Sequence, residues 1–283
     1  ATASSPGLRV DTRGTNDLPP HLDENLLTPR FYVTEFKKAS KTSLDDAREE
    51  FEAMLGEMKA DYNCTHFDRK ASLDRLQDLP QKAKETYESY LVRSVVSEFS
   101  GFLLFKEISN RLKKEGNRDL GKLFQFLARD EARHAGFLSR ALVAEGIEVD
   151  LPHLGGKRAA TWFPISWVIY SVYLSEKIGY WRYILMDRHL KANPEEAFAP
   201  LFDFFEPWCQ DENRHGDCFT VMMRCWPGIT KGFRGKLLSR FFLWSVFLTH
   251  TLTVCERGEF YELLGIEPKE FDEEVIIRTN HTA

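Results

Sequence analysis

Two five-residue segments carry the residue types from which a metal site is built. Asp130-Glu131-Ala132-Arg133-His134 and Asp211-Glu212-Asn213-Arg214-His215 share Asp, Glu, Arg and His at the same four offsets. On a helix, residues three apart lie on one face, so Glu131 with His134, and Glu212 with His215, each present a carboxylate and an imidazole together. A single Glu-x-x-His is weak evidence. The repeat extends upstream, however: Ser97-Glu98-Phe99-Ser100-Gly101-Phe102 matches Ser175-Glu176-Lys177-Ile178-Gly179-Tyr180 in Ser, Glu, Gly and a following aromatic ring. Each half supplies one Glu and then a Glu-x-x-His.

Four carboxylates and two neutral imidazoles can hold two divalent ions, share bridging oxygens and leave positions open for dioxygen. Oxygen donors with imidazole suit iron or manganese, and iron has the redox range for oxygen activation. A metal-bound His usually donates its other N–H to a carboxylate, so Asp130 is expected to hold His215 and Asp211 to hold His134. Arg133 and Arg214 are expected to neutralise these aspartates. Gly101 and Gly179, one turn after the lone glutamates, are expected to leave room for oxygen or substrate. The alternative, charged helix faces in water, fits poorly because Glu98 and Glu176 sit inside strongly apolar stretches, where a carboxylate needs a partner.

Long helices must position these groups. Apolar residues recur at three and four positions, and the chain reads as almost wholly α. Ser43 is the expected N-cap of a helix over 44–62. Further helices are expected over 81–114, 119–144 and 164–191, then from about 194 to before Pro227, bent at Pro200 or Pro207. The aromatic run 241–255 and a short helix over 257–264 follow, and a polar tail closes the chain. Glu98 to Glu131 spans 33 residues and Glu176 to Glu212 spans 36. Either span lets the chain climb one helix, turn and descend the next to similar height, as in a four-helix bundle. Residues 1–24 read as a flexible N-terminal tail, and 25–283 as one domain with additional helices flanking the bundle.

A net charge of −5 argues against a nucleic-acid partner. No glycine-rich phosphate loop or Gly-x-Ser-x-Gly element appears. The five cysteines (64, 209, 218, 225 and 255) form no Cys-x-x-Cys pair, and Cys209 and Cys218 read as buried apolar residues. His66, His153, His189 and His250 read as capping, surface or core residues. Trp162, Trp167, Trp181, Trp208 and Trp244 read mostly as core, or as walls for a flat apolar ligand. Phe241–Cys255 reads first as a buried core helix, being short of the roughly 20 apolar residues of a membrane span. The basic flank Lys231, Arg234, Lys236 and Arg240 leaves peripheral contact with an anionic membrane as the other reading.

The stretches Ala60-Asp-Tyr-Asn-Cys-Thr-His-Phe67, Ser97-Glu-Phe-Ser-Gly-Phe-Leu-Leu104, Arg129-Asp-Glu-Ala-Arg-His-Ala-Gly-Phe-Leu138, Tyr173-Leu-Ser-Glu-Lys-Ile-Gly-Tyr-Trp-Arg-Tyr183, Arg188-His-Leu-Lys-Ala-Asn-Pro194 and Cys209-Gln-Asp-Glu-Asn-Arg-His-Gly-Asp217 closely resemble the aerobic, oxidative magnesium-protoporphyrin IX monomethyl ester cyclase family. The resemblance covers about residue 25 to the end. It implies a ferritin-like four-helix bundle and a di-iron enzyme that closes the fifth ring of (bacterio)chlorophyll, giving divinyl protochlorophyllide with dioxygen and external reductant. Glu98, Glu131, His134, Glu176, Glu212 and His215 map onto the family's iron ligands. It further implies electrons from NADPH or ferredoxin through a partner, small accessory subunits, and a peripheral place on the cytoplasmic face of a photosynthetic or inner membrane, or on a plastid membrane. The family usually continues well past the Ile-Ile-x-Thr-Asn segment near residue 280. The second motif is also similar to that of soluble acyl-carrier-protein desaturases, and a ferritin-type iron storage protein is the rival from another class.

Overall fold

The computed structural model describes residues 8–10, 31–67, 73, 76, 79–151 and 161–283. In chain order these form strands β1 (Leu8–Val10) and β2 (Phe31–Thr34), helices α1 (Phe36–Ala39), α2 (Arg48–Ala60), α3 (Gln81–Lys114) and α4 (Arg118–Ala144), and strands β3 (Ile147–Val149) and β4 (Thr161–Pro164). Helices α5 (Ile165–Ala192), α6 (Phe205–Cys225), α7 (Pro227–Thr230), α8 (Gly232–Glu256), α9 (Gly258–Leu263) and α10 (Pro268–Thr282) follow. The fold is an all-α bundle: α3 packs along α4, α5 packs along α6, and the two hairpins face each other.

Local chemistry sets the ends of the first hairpin. Gly116, at φ +98°, takes the left-handed turn that releases α3, a conformation costly for residues with a Cβ. The Asn117 side chain then caps α4, accepting from Leu120 N at 3.0 Å. Pro207 sits within the first turn of α6 and does not bend it, because the first N–H groups of a helix have no intrahelical partner to lose. The break falls earlier, where Pro194–Glu196 and Pro200–Phe204 form separate 3₁₀ turns.

Three expectations are corrected. Ser43 does not cap a helix at residue 44: its hydroxyl bonds Asp45, a 3₁₀ turn fills Asp45–Ala47, and α2 begins at Arg48. The closing polar tail is helix α10, which starts on Pro268, is capped by Glu267 and buries Phe271, Val275 and Thr279 at four-residue spacing. That narrow stripe is easily lost among charges. Residues 241–255 lie in the 25-residue helix α8, of which only Gly235, Phe242, His250 and Val254 are buried. It is therefore a largely exposed helix, and it is long and apolar enough to cross a membrane by length and composition. Within the expected N-terminal tail, β1 pairs in parallel with β3, Leu8 opposite Ile147; β2 likewise pairs with β4.

The buried core is in two lobes. One gathers Leu91, Val95, Phe137, Leu138, Met186 and Trp208; the other gathers Phe105, Ile108, Phe124, Ile169, Phe219 and Met222. On every bundle helix these two groups flank the position of the motif residues. The polar residues thus form a layer between two apolar ends, which hold the helices in register around it.

Candidate metal centre

All six motif residues meet in that layer. Their donor atoms fall into two compact triads, Glu98 with His134 and Glu212, and Glu131 with Glu176 and His215. His134 Nδ1 lies 3.3 Å from Glu98 Oε2 and 3.7 Å from Glu212 Oε1; His215 Nδ1 lies 3.2 Å from Glu176 Oε2 and 3.4 Å from Glu131 Oε1. Glu131 shares a helix turn with His134, yet its oxygen lies beside His215, and Glu212 crosses in the opposite sense. Each triad thus combines donors from both Glu-x-x-His motifs, and both halves of the repeat would hold a pair of ions bound there. Both histidines are fully buried and the glutamates nearly so, apart from Glu98, which borders a cleft.

Nδ1 of each imidazole points into the cage and Nε2 points out of it. Outside, Asp211 Oδ2 lies 3.1 Å from His134 Nε2, and Asp130 Oδ2 lies 3.5 Å from His215 Nε2. This is the crosswise placement expected of the two aspartates, though the second contact is looser and leaves His215 Nε2 without a hydrogen bond. Arg133 donates to Asp130 at 3.1 Å and stands 3.7 Å from Asp211, while Arg214 donates to Asp211.

Supporting residues outside the repeat also appear. Trp208 Nε1 donates to Glu212 Oε1 at 2.9 Å while its ring stacks on His134 at 4.6 Å. Asn63 donates to Asp211 at 2.8 Å, Arg129 donates to Asp130 at 2.8 Å, and Asp61 accepts from Arg133 at 2.6 Å. The polar run Asp61-Tyr62-Asn63 after α2 hinted at the last group, but nothing in its spacing tied it to the repeat. Of the remaining histidines, His66 meets Asn63, His189 meets Glu196 and the Leu264 carbonyl, and His250 is buried in α8; His153 lies outside the described residues. Cys209 and Cys218 are buried thiols.

Gly101 and Gly179 line the cleft beside the cage, and they also allow a close approach that was not expected. A Cβ on Gly101 would stand 2.6 Å from Glu131 Oε2, and one on Gly179 would stand 3.0 Å from Glu212 Oε2. Part of the room they create is taken by the crossing carboxylates, and the rest opens into the cleft.

The electrostatics describe a cage with too much negative charge. Burial, reinforced by Glu98, pushes the Glu131 carboxyl up to about 8, and burial with Glu176 and Glu98 holds Glu212 well above the usual carboxylate range. Burial alone would keep His134 neutral, but hydrogen bonds to Asp211 and Glu98 raise it to about 10; His215, facing Glu176, is also raised well above its ordinary value. Asp130 and Asp211 remain below the usual range despite burial, through their contacts with His215 and His134 respectively. Protons are therefore drawn to the centre of the cage, where cations would satisfy the same donors, and the six residues fit a pair of divalent ions.

The rubrerythrin family model matches residues 89–223, which span all six donors. Curated relatives extend further. The chain is 76% identical over 282 residues, 100% of its own length and 80% of the relative's, to the magnesium-protoporphyrin IX monomethyl ester [oxidative] cyclase of Prochlorococcus marinus strain MIT 9313. It is 55% identical over 261 residues, 92% of its length and 73% of the relative's, to cyclase 2 of Thermosynechococcus vestitus. To cyclase 1 of Nostoc sp. it is 48% identical over 285 aligned positions, covering 100% and 78% of the two chains. No solved structure matches. The chain belongs to the magnesium-protoporphyrin IX monomethyl ester oxidative cyclase family.

Proposed function

We propose that this chain closes the fifth ring of the chlorophyll precursor, converting magnesium-protoporphyrin IX monomethyl ester to divinyl protochlorophyllide, with two iron ions held by Glu98, Glu131, His134, Glu176, Glu212 and His215. The observation that carries the reading is the pair of crossed triads. Each supplies one imidazole, one carboxylate on the cleft side and one carboxylate that crosses from the other motif. When bound, the iron pair supplies the oxidising chemistry with dioxygen.

The chain's own residues prepare that chemistry in several ways. Asp211 fixes the His134 ring by accepting from Nε2, which leaves the Nδ1 lone pair to face inward; Asp130 stands 3.5 Å from His215 Nε2, a looser contact on the corresponding side. Trp208 donates to one oxygen of Glu212 and so fixes the orientation of a carboxylate that would help hold the ions. The apolar lobes exclude water from the inner face, and the α3–α5 side provides the entry. No nucleotide-binding element was found in the sequence, so electrons come from a partner drawing on NADPH or ferredoxin. The desaturase and iron-storage readings gain no support from the cyclase relatives.

We further infer peripheral membrane contact through α8. Phe233, Leu237, Phe241, Trp244, Leu248 and Leu252 form an exposed apolar stripe spaced four, four, three, four and four residues apart. Lys231, Arg234, Lys236 and Arg240 are exposed beside its N-terminal half. Such a face suits the boundary of an anionic bilayer.

Reduced, iron-loaded protein mixed with the monomethyl ester, dioxygen and an electron donor is expected to give the absorption of divinyl protochlorophyllide. Absence of any new tetrapyrrole absorption under every donor tried overturns the reading.

A further inference from the structure

Among the described residues, a cavity of about 680 Å³ near Tyr173 and Lys231 contains none of the six metal donors. A smaller cleft of about 180 Å³ between α3 and α5 does: Glu98, Glu131, Glu176 and Glu212 line its inner end. Leu104, Phe105 and Val172 give it apolar walls. Its size admits the edge of a macrocycle with its side chains, not the whole ring.

Two polar side chains that line this cleft and are shielded from solvent take no part in the metal site. The first is Arg182, half-buried on α5 six residues beyond Glu176. Among the described residues no carboxylate or carbonyl accepts a hydrogen bond from its guanidinium, which lies over the Tyr183 ring with its carbon 5.3 Å from the ring centre. A second guanidinium, Arg257, lies close enough for mutual repulsion and likewise has only a ring contact, with Tyr90. Partly buried arginines are ordinarily paired with acids. The acid nearest in effect is Glu212, whose charge is committed once two divalent ions balance the four carboxylates. The loaded site then has an unanswered positive charge at Arg182. The second residue is Ser100, nine-tenths buried, whose hydroxyl has no hydrogen-bond partner.

We propose that Arg182, assisted by Ser100, anchors the free propionate carboxylate of the substrate, an inference that rests on the cyclase reading above. A monomethyl ester of a dipropionate porphyrin keeps one carboxylate, and in protoporphyrin IX the two propionates hang from the same edge of the ring. With the esterified arm at the carboxylate cage, the free arm falls within the same cleft. A guanidinium fork recognises it bidentately, and the diester, lacking that charge, is discriminated against. The role is positioning: Arg182 selects which propionate reaches the cage.

The test is binding of magnesium-protoporphyrin monomethyl and dimethyl esters to anaerobic iron-loaded protein, followed by tetrapyrrole fluorescence. The native protein is expected to prefer the monoester about tenfold or more, the range for a charge-assisted hydrogen bond. Arg182→Met is expected to lose that preference while keeping the affinity for the dimethyl ester, and Arg182→Lys to restore part of it. Retention of the full preference in Arg182→Met, or an equal loss for both esters, overturns the proposal. If Arg182→Met does not fold, Arg182→Gln carries the same comparison with the same two outcomes. Native protein that turns over the monoester without preferring it to the diester refutes the anchor alone. Native protein that binds neither ester and makes no product refutes the cyclase reading and the anchor with it.

Discussion

His134 and His215 are held from both sides, Nδ1 against carboxylates of the cage and Nε2 against an aspartate of the opposite motif. Asp211 hydrogen-bonds the outer nitrogen of His134, and its removal is expected to act through the metal. Asp211→Asn is expected to weaken iron binding about 10- to 100-fold, measured by competition with a chelator, with little change in helicity. Unaltered affinity would assign Asp211 to packing alone. At this scale the sequence was informative because the site is a repeat: six donors and four flanking residues appear as matching offsets. Trp208, Asn63, Asp61 and Arg129 were not legible, because each supports one half without a counterpart in the other. Arg182 could be read only once the cleft showed it facing the carboxylates without an acid of its own.

The elements transmit these placements through close approach. Gly101 on α3 and Gly179 on α5 lie against Glu131 and Glu212, so even one methyl group at Gly101 displaces a carboxylate of the cage. Gly101→Ala is expected to fold, with reduced iron content and activity lowered at least tenfold; metal analysis of the purified variant checks the first point and product absorption the second. Helix α8 makes a different prediction. Replacing Phe233 and Trp244 by Ser is expected to abolish co-sedimentation with vesicles rich in anionic lipid, while leaving the Tyr170–Phe242 stack at 5.3 Å on the opposite side of the helix in place. Native protein that stays in the supernatant would contradict the membrane reading. Periodicity located the long helices well, since their apolar stripes are wide. It failed for α10, whose buried stripe is one residue per turn, and it misjudged α8, whose apolar residues point mostly outward. Composition records how apolar a helix is, not whether a neighbour covers it.

At the scale of the whole molecule, two apolar lobes clamp a polar layer, and stability depends on both. His250 shows how the clamp responds to pH. It is buried in α8, and burial with the nearby Arg182 and Arg257 cations lowers it to about 3, while Asp272 Oδ1 lies 3.3 Å away without hydrogen-bond alignment. Its folded value lies below the ordinary 6.5, so the unfolded chain binds more protons between those limits. The contribution to stability is complete above about 6.5 and is lost as pH falls toward 3. Between pH 7 and pH 5 this group alone is expected to cost about 2 kcal/mol, read from urea midpoints, and His250→Gln is expected to flatten that dependence. A variant that keeps the full acid sensitivity would place the effect elsewhere. The four-helix order was legible from the spacing of the motifs, but the division of the core into two lobes arises from contacts distant in sequence. The central claim is that the crossed triads hold a pair of iron ions within bridging distance. Mössbauer spectroscopy of protein reconstituted with iron-57 and oxidised in air tests it most directly. Two irons per chain in a spin-coupled diferric pair is the expected result, whereas one iron per chain, or two uncoupled irons, would contradict the account.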